Sequence, residues 1–182
     1  MSRGKRRILF LDRDGTLIIE PEDFQIDSLE KLELVDGVIP ALLRLKAAGY
    51  EFVIVSNQDG LGTASNPLEN FQPPHDKMLS LFASQGITFA AEHFDPHFDV
   101  DNSPNRKPGI GMVLDYLKSG ELDLQDSWVI GDRETDLQLA DNMGIGGIRC
   151  GPDGQHWADI AHQLCTRPRR GSVERVTNET SI

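Results

Sequence analysis

Cysteine is nearly missing from this 182-residue chain: Cys150 and Cys165 are the only two. Two thiols make no disulfide framework, so the chain reads as a protein of a reducing, cytoplasmic compartment. Long apolar runs are missing too. No stretch approaches the roughly 18 apolar residues of a membrane span. The apolar run behind the basic start Arg3–Arg7 is too short for a signal-peptide core. Positive charge is scarce. Lys and Arg number 18 against 29 Asp and Glu, for a formal net charge of −11. That balance argues against a nucleic-acid partner. It also disfavours an anionic substrate unless cations or a metal gather locally. Arg167, Arg169, Arg170 and Arg175 all lie near the end of the chain, so the body is more acidic than the total implies.

What is present alternates between strand and helix patterns. Short apolar runs at Arg7–Leu11, Glu51–Val55, Ala90–Phe94, Trp128–Ile130 and Gly147–Cys150 read as strands. Helices are expected from Asp36–Pro40 to a stop at Gly49, over His75–Gln85, over Gly109–Lys118 and over Arg133–Met143. Residues 60–74 and 96–108 read as two long Pro/Asn-rich loops. Repeated strand–helix–strand units predict an α/β fold: a three-layer, Rossmann-like parallel sheet flanked by helices. Residues 1–165 are expected to form one domain, and 166–182 a linker or tail. Asp12 and Ser56 are separated by 43 residues, enough for a loop, a helix and the second strand. No large cap domain fits.

Four strand ends carry polar groups. The first ends in Asp12-Arg13-Asp14-Gly15-Thr16, where two carboxylates suit a hard cation or a nucleophile and proton-donor pair. The second ends in Ser56-Asn57-Gln58-Asp59-Gly60, a candidate anion cradle. After the third comes Asn105-Arg106-Lys107-Pro108, with a lysine that can neutralise phosphate. The fourth ends in Gly131-Asp132-Arg133-Glu134-Thr135-Asp136. Each alone has a bland explanation in turns, caps or surface charge. A parallel sheet brings all four to one edge. There they supply what metal-assisted phosphoryl transfer needs.

The series Asp12-x-Asp14-x-Thr16, Ser56, Lys107 and Gly131-Asp132-x-x-x-Asp136 resembles the haloacid dehalogenase-like phosphohydrolases, over Arg7 to about Cys150. Ser56-Asn57-Gln58-Asp59-Gly60-Leu61-Gly62-Thr63, Pro74-His75 and Ala83-Ser84-Gln85-Gly86-Ile87 are similar to the histidinol-phosphate phosphatases within that superfamily. The resemblance implies hydrolysis of a small phosphate monoester through an aspartyl-phosphate on Asp12. Asp14 would protonate the leaving alcohol and then activate water. Mg²⁺ would be held by Asp12, the main-chain carbonyl of Asp14, and Asp132. Ser56 and Lys107 would grip the phosphoryl oxygens, with Asn57 and Arg106 as further substrate contacts. Glu20, Glu22 and Asp23 could receive the substrate's positive charge. It also implies fusion to an imidazoleglycerol-phosphate dehydratase, whose opening strand Arg175–Ile182 resembles.

One departure matters. Many relatives carry a zinc loop of Cys-x-His and Cys-x-Cys before the Arg-Lys-Pro. Here Asp95, Ser103 and Asn105 stand among the cysteine positions, and His97 remains. Structural zinc needs four soft or borderline ligands, so no structural zinc is expected. Asp95, His97, Asp99 and Asp101 offer at most a weak mixed site. His75 is expected at a helix start and His97 in a loop. Other readings stay open: a heptose bisphosphate phosphatase, another small-molecule phosphatase, a nucleic-acid 3′-phosphatase, or a phospho-acceptor or docking module without turnover.

Overall fold

A computed structural model describes residues 5–168. β1 (Ile8–Leu11), β2 (Glu51–Asn57), β3 (Ala91–Asp95), β4 (Trp128–Gly131) and β5 (Gly146–Arg149) form one sheet in the order β3-β2-β1-β4-β5. Every pairing is parallel; Leu9 lies opposite Phe52 on one side and Trp128 on the other. β1 is therefore central. The chain leaves it on one side through β2 and β3, then crosses to β4 on the other. A ligand crevice is expected at that switch point.

Side chains of β1 alternate between two cores, as the two-residue period of a strand requires. Leu9 and Leu11 pack with α1 (Val38–Ala47), α2 (Leu68–Ser84) and α5 (Trp157–Thr166). Ile8 and Phe10 pack with α4 (Glu134–Met143) and with α3 (Leu114–Lys118), the latter through Tyr116 and Leu117. Both faces are covered, which is why these strands read as unbroken apolar runs. The expected three-layer α/β fold is the one observed. Among the described residues, α1 and a 3-10 turn at Leu29–Lys31 are the only helical segments between β1 and β2, and α2 the only one between β2 and β3. No helix among the described residues is long and apolar enough to cross a membrane.

Three local expectations need correction. The loop expected over 60–74 ends early, because α2 begins at Leu68 and runs through Pro73 and Pro74. Each proline removes a ladder hydrogen bond. The helix persists because Phe71, Pro74, His75, Met78 and Phe82 form a buried stripe at helical spacing. His75 therefore sits mid-helix and buried, not at a helix start. The helix expected from Gly109 begins later, with a 3-10 turn at Gly111–Val113 leading into α3. Gly109 and Gly111 lie so tightly against Pro104 and Asn105 that a side chain at either would collide. Lastly, α5 was not anticipated. The expected tail lies almost wholly outside the described residues.

Candidate active site

The turn after β1 is tightly wound. The Asp12 N–H donates to the Ile130 carbonyl at 2.9 Å, and the Arg13 carbonyl accepts from Leu17 at 2.9 Å. Gly15 sits at φ +77, and a Cβ there would lie 2.3 Å from Asp132 Oδ2. Glycine is required both by conformation and by space. The turn thereby presses against the end of β4 and brings the first and fourth motifs together.

Lys107 sits at the centre of the site, 4% exposed. Its ammonium donates to Asp12 Oδ1 at 2.8 Å, Asp136 Oδ1 at 2.6 Å and the Val55 carbonyl at 2.9 Å. Burial alone would lower its pKa, but the two carboxylates outweigh burial and raise it. Asp136 Oδ2 meanwhile accepts the Arg133 N–H at 3.1 Å and caps α4. Both its oxygens are engaged, so the capping and cation-holding readings hold together. Gly131 makes room for it: a Cβ there would fall 2.1 Å from the Asp136 carboxyl.

Asp12, Asp132 and Asp136 converge, each offering one oxygen within 4.8 Å of the others. They are the one such group of three or more metal-ligating side chains among the described residues. Three carboxylates against one ammonium leave two negative charges, the charge a divalent cation balances. Asp132 Oδ1 is buried with no hydrogen-bond partner. Its carboxyl is pushed up to about 7 by burial and by the neighbouring Asp12 and Asp136. An orphaned carboxylate oxygen among other carboxylates is the donor set of a hard-cation site.

Asp14 is held separately. Its Oδ1 accepts from Arg13 at 2.9 Å, and its Oδ2 accepts from Gln58 Nε2 at 2.7 Å. Both contacts favour the ionised form, yet burial outweighs them and raises its pKa. Arg13, 1% exposed, lays its guanidinium over the Phe71 ring at 4.5 Å. Gln58 Nε2 also donates to Ser56 Oγ at 3.0 Å, tying the second motif to the first.

Asp12, Asp14, Glu20, Ser56, Asn57, Arg106 and Lys107 all line one cavity of about 310 Å³, together with Arg133. Asn57 has a further structural part. Its amide donates to the Lys107 carbonyl at 3.1 Å and accepts the Lys107 N–H at 2.9 Å, clasping that loop to β2. Arg106 pairs with Asp59 and donates to the His97 carbonyl at 2.7 Å. Glu20 accepts from Arg133 at 2.5 Å. Asp23 is bound by Lys31 at 2.5 Å on the surface. Arg13, Gln58 and Arg133 stood inside the quoted motifs but drew no role there; only contact geometry exposes them.

The loop after β3 is closed by hydrogen bonds. Asp95 is fully buried, and its carboxylate accepts from His97 Nδ1 at 2.8 Å, the His97 N–H at 3.2 Å and Ser103 Oγ at 2.9 Å. Asp101 instead caps the Phe98 N–H at 2.8 Å. Asp95, His97, Asp99 and Asp101 thus do not converge on a common point.

Comparison with known proteins agrees with this geometry. A model of the HAD-hydrolase-like family matches residues 104–161. The D,D-heptose 1,7-bisphosphate phosphatase of B. bronchiseptica, solved with magnesium and phosphate, superposes with a TM-score of 0.75 at 27% identity. That match covers 87% of this chain and 97% of the other. In fold and in residues 104–161 the chain is similar to the HAD-like hydrolases. The D,D-heptose 1,7-bisphosphate phosphatase of Burkholderia thailandensis shares the fold, with a TM-score of 0.60 at 21% identity, covering 89% of this chain and 100% of its own. By sequence, the chain is 53% identical over 180 residues to the histidine biosynthesis bifunctional protein HisB of Xanthomonas campestris pv. campestris. The match covers 96% of this chain and 48% of that protein. The HisB of Xylella fastidiosa is 52% identical over the same coverage. The chain therefore spans about half the length of the curated relatives it matches.

Proposed function

We propose that the chain is a Mg²⁺-dependent phosphatase that hydrolyses L-histidinol phosphate to L-histidinol and phosphate in histidine biosynthesis. The observation that carries this reading is the division of labour between the paired carboxyls. Asp12 is held by Lys107 inside the cation cluster, whereas Asp14 lies outside it with a raised pKa. The 53% identity to bifunctional HisB supports a substrate from histidine biosynthesis.

In this reading the Asp12 carboxylate attacks phosphorus, and the phosphorus–oxygen bond to the leaving alcohol breaks. Asp14, whose protonated form burial favours, gives a proton to the departing oxygen. The same residue, now a carboxylate, takes a proton from water. That water attacks the aspartyl-phosphate, releasing phosphate and restoring both aspartates. The Ser56 hydroxyl and the Lys107 ammonium bind phosphoryl oxygens as charge shifts in each transition state. Mg²⁺ would sit on Asp12, the Asp14 carbonyl and the free oxygen of Asp132, where it neutralises phosphoryl charge and aligns the attack. Asp136 holds Lys107 in place. Arg106, Asn57 and Glu20 line the route to the leaving group. The chain corresponds to the phosphatase half of a cytoplasmic bifunctional protein, with a dehydratase half as companion.

The test is phosphate release from L-histidinol phosphate with Mg²⁺ and with chelator, against Asp12→Asn. Mg²⁺-dependent release that Asp12→Asn abolishes is expected. Turnover of an aryl phosphate without histidinol phosphate would discard this substrate and bring the heptose bisphosphate forward.

A further inference from the structure

A second cavity of about 510 Å³ opens beside the first and shares Asp14, Glu20, Asn57 and Arg133 with it. One side of it is the segment after Glu20, and there Phe24 has φ +59. A bulky residue in the left-handed region is a conformational outlier that glycine would avoid. Burial does not offset it, because Phe24 is 68% exposed. The conformation is imposed from both sides. The Phe24 N–H closes a turn onto the Pro21 carbonyl at 2.9 Å. Lys31 ties down Asp23 at 2.5 Å, Asp27 at 2.8 Å and the Gln25 carbonyl at 3.2 Å. Gln25 Nε2 reaches the Ser65 carbonyl at 3.0 Å. A turn alone would be met by glycine or asparagine. Strain held at a cavity wall next to reacting groups points to use.

We infer that Phe24 is a specificity-determining residue, presenting its ring to a planar, neutral-to-cationic leaving group in the outer cavity. This rests on the phosphatase reading of the inner cavity, whose proton donor Asp14 both cavities share. The chemistry of the walls selects that class. Glu20, Asp23 and Asp59 line the cavity, and the cations that reach them, Arg133, Lys31 and Arg106, are each engaged in those pairs, so among the described residues no free positive charge is left there to hold an anionic leaving group. The remaining lining groups include the amides of Asn57, Gln58 and Asn66, whose polar atoms not engaged within the protein suit a ring with heteroatoms. An aromatic face supplies offset stacking and cation–π attraction to such a group. The imidazole and ammonium of histidinol phosphate belong to this class.

The experiment compares the native chain, Phe24→Ala and Phe24→Tyr on L-histidinol phosphate, p-nitrophenyl phosphate and acetyl phosphate. Loss of one aromatic contact is worth about tenfold. Phe24→Ala is expected to raise KM about tenfold for both ring-bearing substrates, with kcat little changed, and to leave acetyl phosphate unaffected. Phe24→Tyr is expected to restore the native KM. A change common to all three substrates would show a merely structural residue and overturn the inference. So would unchanged KM for the ring-bearing pair. If the native chain ignores histidinol phosphate but Phe24→Ala still raises KM for p-nitrophenyl phosphate alone, the proposed substrate falls and the role of Phe24 stands.

Discussion

Replacing Lys107 with methionine tests the electrostatic plan of the site. The ammonium is buried and contacts Asp12 at 2.8 Å and Asp136 at 2.6 Å. Asp132 is the third carboxylate of the cluster. Methionine fills much of the same volume but leaves these acids without their central counter-ion. Removing one partner of a buried ion pair costs about 3–5 kcal/mol. A domain's whole stability is roughly 5–15 kcal/mol, so the loss is large enough to read directly. Urea unfolding at pH 7.5 with chelator, followed by the fluorescence of the buried Trp128 and Trp157, reports it. A companion variant sharpens the reasoning. With Lys107 present, Asp136→Asn gives up a charge-assisted hydrogen bond worth about 1.5–3 kcal/mol and brings no gain. In the Lys107→Met background the same change removes an uncompensated charge and should restore about 1–2 kcal/mol. If Lys107→Met stays within about 1 kcal/mol of the native chain, or Asp136→Asn acts alike in both backgrounds, Lys107 is not the group that permits these acids to be buried.

Three further expectations follow. Gly15→Ala drives a Cβ into Asp132, so kcat should fall by about 100-fold, as misplacement by an ångström does; a loss under threefold refutes the packing argument. His75 is buried against Phe71 and Glu92, and burial lowers its pKa below 6.5 despite Glu92. The unfolded chain then takes up the proton more readily, so stability present above pH 6.5 is lost as pH falls. His75→Phe should flatten the decline of the urea midpoint between pH 7.5 and 5.5, and an unchanged slope would remove His75 as its source. Glu20→Gln should raise KM for histidinol phosphate more than for a neutral aryl phosphate; equal effects on both would sink a role in charge recognition.

The strand ends were legible because their chemistry is local. Asp12 and Asp132 each follow an apolar run directly, and parallel topology does the rest. Other features were hidden by competition between local and tertiary terms. Pro73 and Pro74 argue locally against a helix, but Phe71, Met78 and Phe82 bury enough surface to keep one. Asn57 read as a substrate contact through the family resemblance alone. Its clasp on Lys107 joins residues fifty positions apart in the chain, and no spacing rule predicts that pairing. Gln58 escaped for the same reason: its link to Asp14 spans two motifs. Phe24 left no periodic signal, since its peculiarity is a dihedral angle.

Trp157, at the start of α5, donates its indole N–H to the Thr16 carbonyl at 2.8 Å and is 1% exposed. The last helix of the described chain is thus moored to the loop that carries Asp14. This bears on where the protein can be cut. A fragment closed after β5 would keep Asp12, Asp14 and Asp132 and still lose the brace behind the Asp14 turn. Any dissection or transplant of this unit into another polypeptide has to carry α5 with it, although no residue of that helix lines either cavity.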